Sequence, residues 1–192
     1  MKIALINKKF LAASASVVAL AGSTPAAVVL SVDLSVADTI TITATDAVSE
    51  NTSTGSDGIG IYFENLVPSG QVVGDLSVDG DLSYFGVPSD GAPDLYSFGS
   101  DTGLNIWGMS GGTATIEAGV QAFQGSVTFT VDPAIYSDIS SGPSTGDVYF
   151  SADNAGGLAG AAVIGQYQVI PEPSTSLLGG LAALALLRRR RK

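Results

Sequence analysis

The 192-residue chain carries 18 acidic side chains against eight basic ones and has neither histidine nor cysteine. Those absences exclude thiol chemistry and the usual zinc and redox-metal ligand sets, and leave serine nucleophiles without a histidine base. The eight cations are Lys2, Lys8, Lys9, Arg188, Arg189, Arg190, Arg191 and Lys192, so residues 28–170 hold 17 acids (all 18 but Glu172) and no base. A body of that charge repels nucleic acid, because nothing in it can replace the counterions around phosphates.

In chain order, Lys2, Lys8 and Lys9 precede an apolar stretch from Phe10 to Val18. Small residues follow at Ala19-Leu20-Ala21 and Thr24-Pro25-Ala26. Positive start, short greasy centre and small-residue cleavage site predict a signal peptide over 1–27, with the Sec translocon and signal peptidase as partners.

From Val28 the pattern changes to short alternating runs broken by Gly, Pro and Asp. Val28–Val36, Thr39–Thr43, Ile59–Phe63, Val72–Val78, Tyr96–Phe98, Leu104–Met109, Thr113–Glu117, Ser126–Val131, Val148–Phe150 and Ala162–Val169 read as strands. Ala118–Phe123 is the one place where a helical turn is expected, and 49–58 and 137–146 read as flexible loops. With no amphipathic helix of useful length between strands, the expected fold is all-β. One antiparallel β-sandwich or jelly roll over 28–168 is predicted, with a short hydrophobic helix outside it.

Two stretches carry candidate chemistry. Asp75, Asp79 and Asp81, in Asp75-Leu76-Ser77-Val78-Asp79-Gly80-Asp81, supply the carboxylates that a hard cation such as Ca²⁺ requires, without the spacing of an EF-hand loop. Asp79-Gly80 and Asp90-Gly91 also suit hairpin turns, which is the simpler expectation. Trp107, in Leu104-Asn105-Ile106-Trp107-Gly108-Met109, falls on one strand face with Asn105 and Met109 if alternation is strict. It is the candidate for stacking on a sugar ring, with extracellular polysaccharide as the candidate ligand. No catalytic residue is predicted. A glycosidase needs only two carboxylates, and the body has three glutamates, Glu50, Glu64 and Glu117, in no recognisable catalytic spacing.

The final expected segment is 169–192. Pro171-Glu172-Pro173 breaks any preceding element, since each proline fixes φ and disfavours helix in the residue before it. An apolar run of Leu, Ala and Gly from Leu177 to Leu187 follows, then Arg188, Arg189, Arg190, Arg191 and Lys192 as a membrane stop. As a helix, Ser174–Leu187 would reach about 21 Å against a hydrocarbon core of about 30 Å, a short transmembrane segment that snorkelling cations would help to seat.

Proline-bounded tripeptide, apolar helix and basic end, in that order, resemble the PEP-CTERM protein-sorting domain of bacterial envelope proteins. The resemblance implies a sorting motif at Pro171, Glu172 and Pro173, an exosortase-type enzyme as partner, transient membrane association, cleavage near the motif and delivery to the cell surface or matrix. The resulting expectation is an exported, non-enzymatic protein with a structural, matrix or adhesive role in the envelope or extracellular polymer. The alternative is a calcium-dependent carbohydrate-binding module, with a glycoside hydrolase as the remaining enzymatic reading.

Overall fold

The structure, a computed structural model, describes residues 26–56, 60–68, 79–87, 93–96, 102–109, 112–150, 158 and 161–171. Among these residues the strands are β1 (Val28–Asp33), β2 (Thr39–Ala44), β3 (Ser53–Ser56), β4 (Ile61–Phe63), β5 (Asp79–Gly80), β6 (Ser83–Tyr84) and β7 (Asp94–Tyr96). They continue with β8 (Leu104–Trp107), β9 (Thr113–Ile116), β10 (Phe123–Gln124), β11 (Ser126–Thr130), β12 (Thr145–Phe150) and β13 (Ala162–Ile170), and one helix, α1 (Pro133–Ser141), lies between β11 and β12. The fold is all-β in character, as its alternating runs dictate.

Nine strands form one curled sheet in the order β5-β11-β2-β1-β13-β12-β4-β8-β7. Alternation decides which face is buried. Val32 sits opposite Ile42, Ile42 opposite Val127 and Ile40 opposite Phe129, all fully buried. The threonines between them turn away, and the Thr41 and Thr128 hydroxyls hydrogen bond at 3.0 Å across the outer face. The same inner row continues through Val148 beside Phe63, Phe150 beside Ile61, and Ile61 beside Ile106. Two-stranded ribbons, β6–β10 and β3–β9, supplement the large sheet. Tyr84 of β6 meets Phe150 of the large sheet edge-on at 5.1 Å and Phe123 of β10 at 6.1 Å, so this ribbon forms part of a second layer over the core.

Four local expectations are corrected. First, the sheet is mixed, because β1 pairs with β13 in parallel from Val28↔Gln166 to Asp33↔Ile170. A parallel pair needs a long crossover, and here everything between β1 and β13 supplies it. Second, the expected loop at 137–146 is the second half of α1 followed by the start of β12. Asp132 caps that helix by accepting from Ala134 N–H at 2.9 Å, and Pro133 occupies its first turn. Third, the expected loop at 49–58 contains β3, a polar strand held to β9 and marked by a Thr54–Thr115 hydroxyl pair at 2.9 Å. Fourth, 118–123 is not helical: bridges join Val48 to Gln121 and Ser49 to Ala118, and β10 begins at Phe123. The expected strand at 72–78 lies outside the described residues.

The parallel pairing gives the domain two poles. Val28, where β1 begins, and Ile170, where β13 ends, lie at opposite ends of the strand direction, separated by about 17 Å of strand. Thr45 N–H donates to Val29 O and Ala122 N–H to Ala47 O, placing 45–48 and 120–122 at the Val28 pole. Val131 N–H donates to Asp38 O, which places α1, immediately after it, at the Ile170 pole.

Buried tyrosine links the core to pH. The Tyr167 ring packs against Phe63 at 5.6 Å, and its hydroxyl donates to Glu64 O at 2.8 Å. Burial, with Glu64 and Asp147 adding negative charge nearby, pushes the phenol well above its ordinary value; Tyr149 is raised by the same causes. The fold thus favours the protonated phenol, so this contribution is complete below the unfolded value of about 10 and disappears as pH rises toward the higher folded value. Thermal unfolding should be insensitive to these groups up to about pH 9 and fall steeply above about pH 10. The Tyr167→Phe variant should show a shallower alkaline slope, and an unchanged slope would refute the assignment.

Candidate functional site

Three regions hold the candidate residues: the outer face of the β12–β4–β8–β7 end of the sheet, the Asp79–Asp81 turn, and the Ile170 pole.

On the outer face, Tyr149 sits opposite Tyr62, Tyr62 opposite Asn105, Asn105 opposite Tyr96, and Trp107 opposite Asp94. Tyr62 and Asn105 are buried, whereas Tyr96, Trp107 and Tyr149 are half-buried. The Tyr62 and Tyr149 rings lie 6.4 Å apart. Asn105 and Trp107 share this face as strand alternation requires. Met109 does not follow: β8 ends at Trp107, Gly108 takes φ +67°, and Met109 joins the apolar core. The Trp107 indole N–H is buried with no hydrogen-bond partner among the described residues.

Asp79 and Gly80 form an edge strand rather than a hairpin turn, pairing with Thr128 and Val127. The Asp79 side chain is exposed. Asp81 serves the backbone: its Oδ1 accepts from Ser126 N–H at 3.0 Å, and its own N–H donates to Ser126 O at 2.8 Å. Among the described residues no three acidic side chains gather at metal-holding distances, and Asp75 lies outside them. Of the three body glutamates, Glu50 Oε1 accepts from Ala27 N–H at 2.9 Å and so fastens the chain entering β1.

At the Ile170 pole, Leu34 N–H donates to Ile170 O at 2.9 Å and Val169 N–H to Ser144 O at 2.7 Å, so both residues belong to the ladder. Pro171 is the next residue and is exposed. Beside it a groove of about 350 Å³ is lined by Leu34, Tyr136, Ser137, Ser140, Val169 and Pro171. The Tyr136 hydroxyl donates to Leu34 O, fastening α1 against the exit of β1. Glu172, Pro173 and the basic residues Arg188, Arg189, Arg190, Arg191 and Lys192 lie outside the described residues, as does the apolar run 177–187. No helix among the described residues is long and apolar enough to cross a membrane.

Sequence reasoning missed two surfaces. The groove was hidden because Tyr136, Ser137 and Ser140 read as the flank or body of a serine-rich loop. At the Val28 pole, Val48, Phe85 and Val120 are exposed by 45%, 46% and 41%. They come from three separate segments tied by the Val48↔Gln121 bridge and the Phe85 N–H to Ala122 O bond of 3.1 Å. No local spacing signals that these three segments meet at one pole.

A family model described as the PEP-CTERM protein-sorting motif matches residues 169–192. No curated protein and no solved structure matches this chain.

Proposed function

Because residues 169–192 carry a PEP-CTERM sorting motif, which implies an exported, surface-sorted protein with an exosortase-type partner, we propose that the β domain is a non-enzymatic adhesive or matrix element displayed by that route. The observation that carries this reading is the polarity of the domain. The motif leaves from the Ile170 pole, while Val48, Phe85 and Val120 stand exposed at the other. Exposed apolar side chains that join into one patch mark contact sites for other macromolecules, and these three are proposed to do so. Sorting by the tail turns that cluster outward, toward neighbouring cells or extracellular polymer. A body with 17 acids and no base keeps copies from collapsing on one another, leaving the apolar cluster as the place where association is favourable.

A second reading is supported by the outer face, where Tyr149, Tyr96 and Trp107 offer half-buried rings beside Asp94, the side-chain types that stack on and hydrogen bond to sugar rings. A calcium-dependent form of it would need other ligands than Asp79 and Asp81, which stand at the β5 end of the strand order, away from β7, with Asp81 Oδ1 already accepting from Ser126 N–H.

One experiment separates the two. In the native host, the Val48→Ser, Phe85→Ser, Val120→Ser triple variant should reach the surface normally but wash from cells and matrix about tenfold more readily, with Trp107→Ala behaving as wild type. Loss of retention in Trp107→Ala alone would favour the sugar reading, and wild-type retention in both would refute each.

A further inference from the structure

Pro171 is at once the first residue of the sorting tripeptide and a wall of the groove formed with Leu34, Tyr136, Ser137, Ser140 and Val169. No spacer separates domain from motif. Ile170, one residue earlier, is still strand, paired with Asp33 and bonded through its carbonyl to Leu34 N–H. An extended chain covers at most about 3.6 Å per residue, so whatever grips Pro171-Glu172-Pro173 works within about 11 Å of the sheet end. That is no more than the diameter of one helix with its side chains, about 10–12 Å. An enzyme acting on the motif therefore meets α1 and the exit of β1 whenever it holds its substrate.

We propose that the Ile170 pole is a docking surface for the membrane-embedded enzyme that acts on the motif, which thus reads the folded domain end together with the tail. The inference rests on the sorting role of 169–192. The groove is suited to such a partner: its deep walls are apolar, Ser137 and Ser140 put two exposed hydroxyls on its rim, and Ile170 and Val36 are exposed by 46% and 61% beside the strand exits. Charge selects the occupant. Asp33, Asp38, Asp132 and Asp138 belong to the segments that converge on this pole, so an anionic lipid surface is repelled, while a protein offering an apolar knob inside a basic rim is accepted.

The test follows tail removal from the full-length chain by pulse–chase in the native host. The Ser137→Arg, Ser140→Arg variant closes the groove from two exposed helix positions. It should slow removal at least tenfold, while the purified chain melts as wild type does. A ten-residue Gly/Ser insertion between Ile170 and Pro171 keeps β13 whole and 171–192 contiguous, parting only the first two residues of the matched 169–192 from the rest, and should slow removal similarly, because domain and tripeptide can no longer be held together. Removal at the wild-type rate in either variant, or faster removal with the insertion, would overturn the docking surface. Deleting 171–192 is the separate control: if surface sorting survives it, the sorting role itself fails.

Discussion

Phe150→Ala should destabilise the domain by about 3–5 kcal/mol, the range for removing a buried aromatic ring. Phe150 is completely buried and contacts both layers. In the large sheet it lies opposite Ile61 and Ala162, and its ring meets Tyr84 of the β6–β10 ribbon edge-on at 5.1 Å. Truncation leaves a cavity that the β12 backbone cannot close, since that strand is held on both sides by β4 and β13. For a domain of this size the melting temperature should drop by roughly 10 °C. Phe85→Ala removes the same ring from an exposed position and should shift melting by no more than a degree or two. Equal losses in the two variants would show that the ribbon is not packed on the large sheet.

Gly60→Ala should be the most damaging single-methyl change. Gly60 precedes β4 with φ +67°, a conformation that costs a residue with a Cβ about 1–2 kcal/mol. The added carbon would also stand 1.8 Å from Ile106 O, a backbone atom of β8 that cannot rotate away. Relief requires β4 and β8 to part where Ile61 pairs with Ile106, with loss of ladder bonds and of burial at both residues. The total should exceed about 3 kcal/mol, the conformational term plus at least one cavity-sized packing loss. Gly86→Ala is the control: φ is +75°, yet nothing lies within 4 Å of the added carbon, so only the conformational term of about 1–2 kcal/mol remains. Chemical denaturation of the three proteins checks the order, and a Gly60 variant no worse than the Gly86 variant would contradict the contact with β8.

The two variants also mark where sequence reasoning stops. Gly60 looks like any glycine between apolar residues, because its constraint comes from a carbonyl 46 residues away. Trp107 and Asn105 were placed correctly on one face by alternation, whereas Met109 was not, since the left-handed Gly108 reverses the count. Helix α1 did announce itself through Asp132-Pro133 and the Tyr136/Ile139 spacing. The expectation of a loop over 137–146 did not use those signals and followed the Ser, Asp and Gly of that stretch, which suit a loop equally well.

By itself, the sequence determined what depends on near neighbours or on bare composition. Strand character in the stretches that became β1, β2, β11 and β13 follows from apolar residues at every second position, with an anionic, cation-free body and a sorting tail over 169–192. Only the tertiary structure decided that β1 and β13 lie side by side in parallel, that the polar β3 finds β9, and that the segments carrying Val48, Phe85 and Val120 meet at the pole away from the tail. The physical reason is that side-chain alternation is written along the chain, while the backbone ladder joining strands has the same donors and acceptors in every strand. Partner choice is settled by which burial the whole domain can complete, and that depends on residues far apart in the sequence.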